Sequence, residues 1–134
     1  MIAFLIELDN RPGTVAAVTE AIAERGINIT GVAGIGIGSQ GHLAVATNDE
    51  AATRRVLSGA GYKFHEIEIV LLTIADVPGA FARTCRALAD AGIDMQAVFT
   101  MAGTAEKNTI AYVTDDPAKT RSILSKKPLA GTSR

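Results

Sequence analysis

The sequence predicts an α+β fold made of two copies of a small β-α-β-β-α-β unit, and three observations carry that expectation. The first is an internal repeat. Asp9-Asn10-Arg11-Pro12-Gly13 and the run after it to Ile29 return as Asp76-Val77-Pro78-Gly79 and the run to Met95. In each copy an apolar stretch meets a Pro-Gly turn, then a helix-patterned segment, then Gly26-Ile27-Asn28-Ile29 or Gly92-Ile93-Asp94-Met95. A repeat this long is settled before single residues are read. The second observation is that hydrophobic periodicity changes in step with those landmarks, from alternation to helical spacing and back. The third is that the repeat resumes at Asp49 to Leu57, which parallels Asp116 to Leu124. The 134 residues therefore divide into two domains of roughly 65 residues each, residues 1–69 and 70–134.

Taken in order, Phe4, Ile6 and Leu8 alternate with Ala3, Leu5 and Glu7, the period-2 signature of a strand with one buried face. Val70, Leu72 and Ile74 keep the same phase in the second copy. Pro12-Gly13 then turns the chain into a helix, proline being tolerated in a first turn where its missing N–H costs little. Val15, Val18 and Ile22 recur at helical spacing, as do Phe81, Cys85 and Leu88, and these stripes are expected to face the sheet. Gly26 and Gly92 stand where a left-handed C-cap ends each helix.

Five glycines lie from Gly31 to Gly41, including Gly34-Ile35-Gly36-Ile37-Gly38. A dinucleotide-binding fingerprint needs a helix straight after its glycines, whereas Leu43, Val45 and Thr47 resume an alternating strand. The segment reads as a glycine-rich hairpin whose bare backbone admits close approach by another chain. Asp49 and Asp116 suit helix N-caps, and Pro117 takes the favoured first helical position. Val56, Leu57, Ile123 and Leu124 close these helices onto the core. Tyr62 to Ile69 reads as a fourth strand. After Ser125 the second copy offers only a poor strand, so it lacks its fourth strand or borrows one. Each unit is thus the ferredoxin-like arrangement of two helices on one face of an antiparallel sheet.

Strand, Asn-Arg-Pro-Gly, helix, Gly-Ile-Asn-Ile and a second helix opened by Asp, an order the second copy keeps with Asp76-Val77-Pro78-Gly79 and Gly92-Ile93-Asp94-Met95, resemble the ACT domain family of small amino-acid-binding regulatory modules. The resemblance covers most of both repeats and implies the same fold. It also implies a ligand-binding set of Asn10, Pro12, Gly13 and Asn28 in the first copy, with Asp76, Gly79 and Asp94 at the equivalent positions of the second. Asn10 and Asn28 look like the two asparagines with which a serine-inhibited dehydrogenase of the family holds its effector, one from each of two neighbouring domains. Leu8 stands where that member has a histidine, so serine is not implied. If the halves pair side by side as ACT domains do, Asn10 would meet Asp94, and Asp76 would meet Asn28.

The residues support this reading on their own terms. Asn10 follows the first strand and Asn28 opens the next, and both are expected at the same end of the sheet. Two amides offer donors for a carboxylate and acceptors for an ammonium, and a helix N-terminus after Gly13 adds N–H groups and partial positive charge. The structural alternative is that Asn10 caps the first helix and Asn28 bonds a neighbouring turn. Asp76 and Asp94 would repel a ligand carboxylate and welcome an ammonium, or would only cap and turn.

Composition narrows the classes. Thirteen basic and fourteen acidic residues give a net charge of −1, no field for a phosphate backbone or anionic lipid, so neither nucleic acid nor membrane is an expected partner. The first residues lack a basic lead-in for a signal peptide, and Ile69 to Ala75 is far short of the ~20 apolar residues of a membrane span. A lone cysteine fits a reducing compartment, and a cytoplasmic protein is expected. Aromatics are 4% and Trp is absent, so the core must be aliphatic. There is no Ser/His/Asp set, no Cys/His spacing for a metal and no phosphate loop. His42, His65 and Cys85 read as structural. The expectation is a non-catalytic regulatory protein without a cofactor, homodimeric because Leu5 and Leu71 leave apolar surface on the sheet's outer face. The alternatives are a regulatory subunit of a biosynthetic enzyme, of the acetolactate synthase small-subunit kind, and a ligand-free assembly module.

Overall fold

A computed structural model describes residues 1–126. Eleven elements follow in the order β1 (Ile2–Asp9), α1 (Thr14–Ala23), β2 (Ile29–Ile37), β3 (Gln40–Thr47), α2 (Glu50–Gly59), β4 (Phe64–Glu68), β5 (Val70–Ala75), α3 (Ala80–Asp90), β6 (Met95–Met101), β7 (Lys107–Thr114) and α4 (Pro117–Leu124). Contacts divide them into two units, Ile2–Ile67 and a second that starts at Glu68 and also includes Met1. The fold is α+β and ferredoxin-like in each unit.

In the first unit the strands lie in the order β4, β1, β3, β2. Both β1 and β2 run antiparallel to β3, with Phe4 opposite Val45, and Val45 opposite Val32. Hence β1 and β2 are parallel, which requires a helix to carry the chain back between them. Phe4, Ile6, Leu43 and Val45 share one face, and Val18, Ile22 and Leu57 close onto it from α1 and α2. The second unit repeats this with β6, β7 and β5 and with Val70, Leu72, Ile110, Tyr112, Leu88 and Leu124 in its core. Its expected missing or borrowed fourth strand falls on residues 127–134, outside the described residues.

The capping chemistry recurs in each copy. Asp49 Oδ1 accepts from Ala52 N at 3.0 Å, and Asp116 Oδ1 accepts from Lys119 N at the same distance. Beneath each cap a buried threonine pair shares a hydrogen bond, Thr47 with Thr53 and Thr114 with Thr120, both at 2.7 Å. Gly26 and Gly92 take left-handed conformations with φ of 71° and 73°. No helix among the described residues is long and apolar enough to cross a membrane.

Two expectations about α1 and α3 need correction. The buried residues of α3 are Ala80, Thr84 and Leu88, one position out of phase with the expected Phe81 and Cys85. Phe81 is 40% exposed, and its counterpart Val15 on α1 is 50% exposed. Thr84 can occupy the core because its hydroxyl is satisfied twice, by Phe81 O at 2.7 Å and by Tyr112 Oη at 2.6 Å. The turn before each helix also differs in detail. Gly13 and Gly79 are the N-caps, both left-handed and without a side-chain cap, so Pro12 lies in the turn ahead of the helix rather than within its first residues.

Candidate functional site

Each unit has a crevice where its first strand turns into its first helix. In the first unit it measures about 310 Å³ and is bounded by Leu8, Asn10, Val15, Gly34, Gly36 and Leu43 among others. In the second it measures about 340 Å³, with Ile74, Asp76, Phe81, Thr100, Asn108 and Ile110 on its walls. These are repeat-equivalent sites. Leu8 answers to Ile74, Asn10 to Asp76, Val15 to Phe81 and Leu43 to Ile110.

Asn10 is held by the glycine-rich hairpin. Its backbone N–H donates to Ser39 O at 2.9 Å, and its side-chain Nδ2 donates to Gly38 O at 2.8 Å. The amide lies over Gly36, where a Cβ would come within 2.6 Å of its Cγ. The glycines therefore admit Asn10 and, at Gly34, the Leu43 side chain. The expected alternative that Asn10 caps α1 is overturned, since Gly13 is the N-cap and no side chain caps the helix. Nδ2 is committed to Gly38, while Oδ1 keeps acceptor capacity at the crevice edge. In the first turn of α1 the Thr14 N–H donates to Arg11 O at 3.4 Å, while those of Val15 and Ala16 have no intrahelical partner and supply donors and partial positive charge close by.

Asn28 lies elsewhere. Strand register sets Ile29 opposite Thr47 and Ile37 opposite Gln40, so Asn28 is at the far end of β2 from the hairpin that holds Asn10. The expectation that both share one end of the sheet is wrong. A parallel β1 and β2 joined by a helix must have the strand-to-helix turn at one end and the helix-to-strand turn at the other. Asn28 instead brackets Asn48, its N–H donating to Asn48 Oδ1 at 3.0 Å and its carbonyl accepting from Asn48 N at 3.1 Å. Asp94 repeats this with Asp115, at 3.0 and 3.2 Å. Within one unit neither Asn28 nor Asp94 can join the crevice at the strand-to-helix turn. Pro12, Gly13 and Gly79 shape the turns and do not line the crevices.

Several lining residues escaped the sequence reading. Val15 and Phe81 pass for core positions because a crevice wall is as apolar as a core. Thr100 and Asn108 carry no motif. Leu8, Ala33 and the glycines nearby were expected as an apolar pocket wall, and of these Leu8, Gly34, Gly36 and Gly41 line the crevice.

Electrostatics around the crevices is mild. The Phe81 ring stacks on Tyr112 at 6.3 Å and 27°, and burial pushes the Tyr112 phenol up to about 12, so it stays neutral. Away from both crevices, the Arg54 guanidinium bonded to Glu66 holds that carboxyl below its ordinary value. Among the described residues no group of three or more His, Cys, Asp or Glu could hold a metal ion.

No curated protein matches the sequence. Among solved structures, a Bacteroides thetaiotaomicron protein aligns with a TM-score of 0.87 and 20% identity over 96% of this chain and 89% of its own. The regulatory subunit of aspartate kinase from Thermus thermophilus, in its ligand-free form, aligns with a TM-score of 0.68 and 17% identity over 92% of this chain and 88% of its own. The same subunit from Thermus flavus gives 0.65 and 20%, over 91% and 85%. These likenesses establish a shared fold. Residues 2–58, most of the first unit, match the model of the ACT domain, and the second unit repeats the same order of elements.

Proposed function

We propose that the protein is a regulatory module that binds an amino acid at the strand-to-helix crevice of an ACT unit and signals through its own oligomer or a partner chain. The observation that carries this reading is the fixed amide of Asn10. It is pinned to Gly38 O at 2.8 Å over a bare glycine, on the wall of a crevice that the first residues of α1, Thr14 and Val15, also line. An acceptor for an ammonium therefore lies beside donors for a carboxylate, the pairing a zwitterion needs. A leucine and a valine wall favours an aliphatic side chain. Asn28 and Asp94, exposed at the other end of their strands, take part only as the contribution of a neighbouring ACT unit, in a homodimer or larger assembly. Binding shifts such an assembly only if one arrangement holds the ligand better than another.

Thermal unfolding with each common amino acid at millimolar concentration tests the proposal. A ligand at 100 times its dissociation constant adds about 2.7 kcal/mol, a shift of several degrees for domains of this size. Asn10→Ala should abolish the shift, and Asn28→Ala should do so if a neighbouring unit completes the site. No shift with any amino acid, or an undiminished shift in Asn10→Ala, removes the proposal. A second reading, a regulatory subunit that works on a separate biosynthetic enzyme, is favoured by the fold shared with the aspartate kinase regulatory subunits. Co-purification of a larger catalytic chain distinguishes it from a free-standing sensor.

A further inference from the structure

The two crevices occupy equivalent positions and differ in charge. In the first unit the turn carries Asp9, Asn10 and Arg11, and Arg11 Nε lies 3.7 Å from Asp9 Oδ2. One acid and one base offset each other beside a neutral amide. The equivalent positions in the second unit are Ala75, Asp76 and Val77. The base is gone, and the acid stands where the amide was, on the crevice wall. The Asp76 backbone is tied to Glu106 O at 2.8 Å, which holds the residue in place, and no ion pair among the described residues involves its carboxylate. Among the described residues no lysine, arginine or histidine lines this crevice, and Arg83 on α3 lies over Gly79 instead.

The walls change in the same direction. Val15 is replaced by Phe81, whose ring rests on Tyr112 and is 40% exposed. Gly41 and Gly34 are replaced by Asn108 and Thr100, which add hydrogen-bonding groups. An ionised carboxylate accepts from an ammonium N–H and repels a second carboxylate, and an aromatic face beside it attracts the same cation. The volume is at the small end of ligand clefts, which run from about 300 to 1,000 Å³.

We infer that the second unit's crevice binds a small ammonium compound with an apolar or aromatic body, held by Asp76, and rejects the corresponding carboxylate. The two units then read different ligand chemistries, with the first suited to a zwitterion. This rests on the reading that the strand-to-helix turn is the ligand site of each unit.

Isothermal titration of the full chain with 2-phenylethylamine and with 3-phenylpropanoate tests it, because the two probes share a skeleton and carry opposite charges. The amine is expected to bind and the carboxylate to give no heat. Asp76→Asn, which restores the residue type of the first unit, should weaken amine binding about tenfold. The variant is nearly isosteric at an exposed position, so folding is retained. Equal binding of the two probes, or amine binding unchanged in Asp76→Asn, overturns the inference; if amino-acid binding sensitive to Asn10→Ala persists in that case, the first unit's role survives. Absence of heat with both probes and with every amino acid overturns the inference together with the reading beneath it.

Discussion

Asn10 lies so close over Gly36 that a Cβ on the glycine would come within 2.6 Å of the asparagine's amide carbon. The absence of a side chain at one residue therefore sets the position of a functional group on another. Gly36→Ala should force the amide off the hairpin and break its bond to Gly38 O. The expected cost is about 1 kcal/mol, that of one partly exposed hydrogen bond, with loss of any ligand-induced thermal shift. Denaturant unfolding and the same thermal assay check it, and an unaltered ligand response would show that Asn10 does not need this seat.

Thr84 and Tyr112 form a buried polar pair at 2.6 Å. Thr84→Val removes one partner and strands the phenol in the core, so it should cost about 1–3 kcal/mol. Adding Tyr112→Phe to that variant should recover much of the loss, and a double-mutant cycle by urea unfolding measures the coupling.

The same tyrosine sets an alkaline limit. Its folded pKa of about 12 lies above the unfolded value near 10, so the native state retains a proton that the unfolded chain releases. The contribution is fully present below the unfolded value and is lost as pH rises from there through the folded one. Tyrosinate absorbance should show one tyrosine ionising near pH 12 or together with unfolding, and Tyr112→Phe should remove that component.

Two glycine substitutions should have opposite signs. Gly13 has φ of +92°, where a Cβ is strained, so Gly13→Ala should destabilise by about 1–2 kcal/mol. Gly59 ends α2 with nothing within 4 Å of a Cβ, so Gly59→Ala should stabilise by about 0.4–1 kcal/mol through the unfolded state. Thermal melts of the two variants decide the matter.

Asp49→Ala and Asp116→Ala each remove an N-cap acceptor at 3.0 Å, and each should cost about 1 kcal/mol. Similar costs are expected because the threonine pair and cap geometry are repeated almost bond for bond. Chemical denaturation of the single variants checks this.

The element order, the caps at Asp49 and Asp116, the left-handed Gly26 and Gly92 and the core faces of β1 and β5 were all legible in the chain, because each depends on short-range chemistry. A cap is a bond across three residues, and a strand face is a period of two. The candidate site was legible only in part. Asn10 and Asp76, expected as ligand residues, each line a crevice, whereas Val15 and Phe81, which line the same crevices, were assigned to the core. Hydrophobicity reports that a residue avoids water, and not whether its cover is protein or ligand.

The sequence by itself determined that this protein is a duplicated α+β unit with a Pro-Gly turn feeding each first helix, since repeat, periodicity and turn residues are local quantities. The opposite ends of Asn10 and Asn28 already follow from a helix joining two parallel strands; only the tertiary structure decided that Gly36 seats Asn10 and that Leu43 closes over Gly34. Those seats depend on the register of β2 against β3, which follows from packing between strands and leaves no mark in residue spacing.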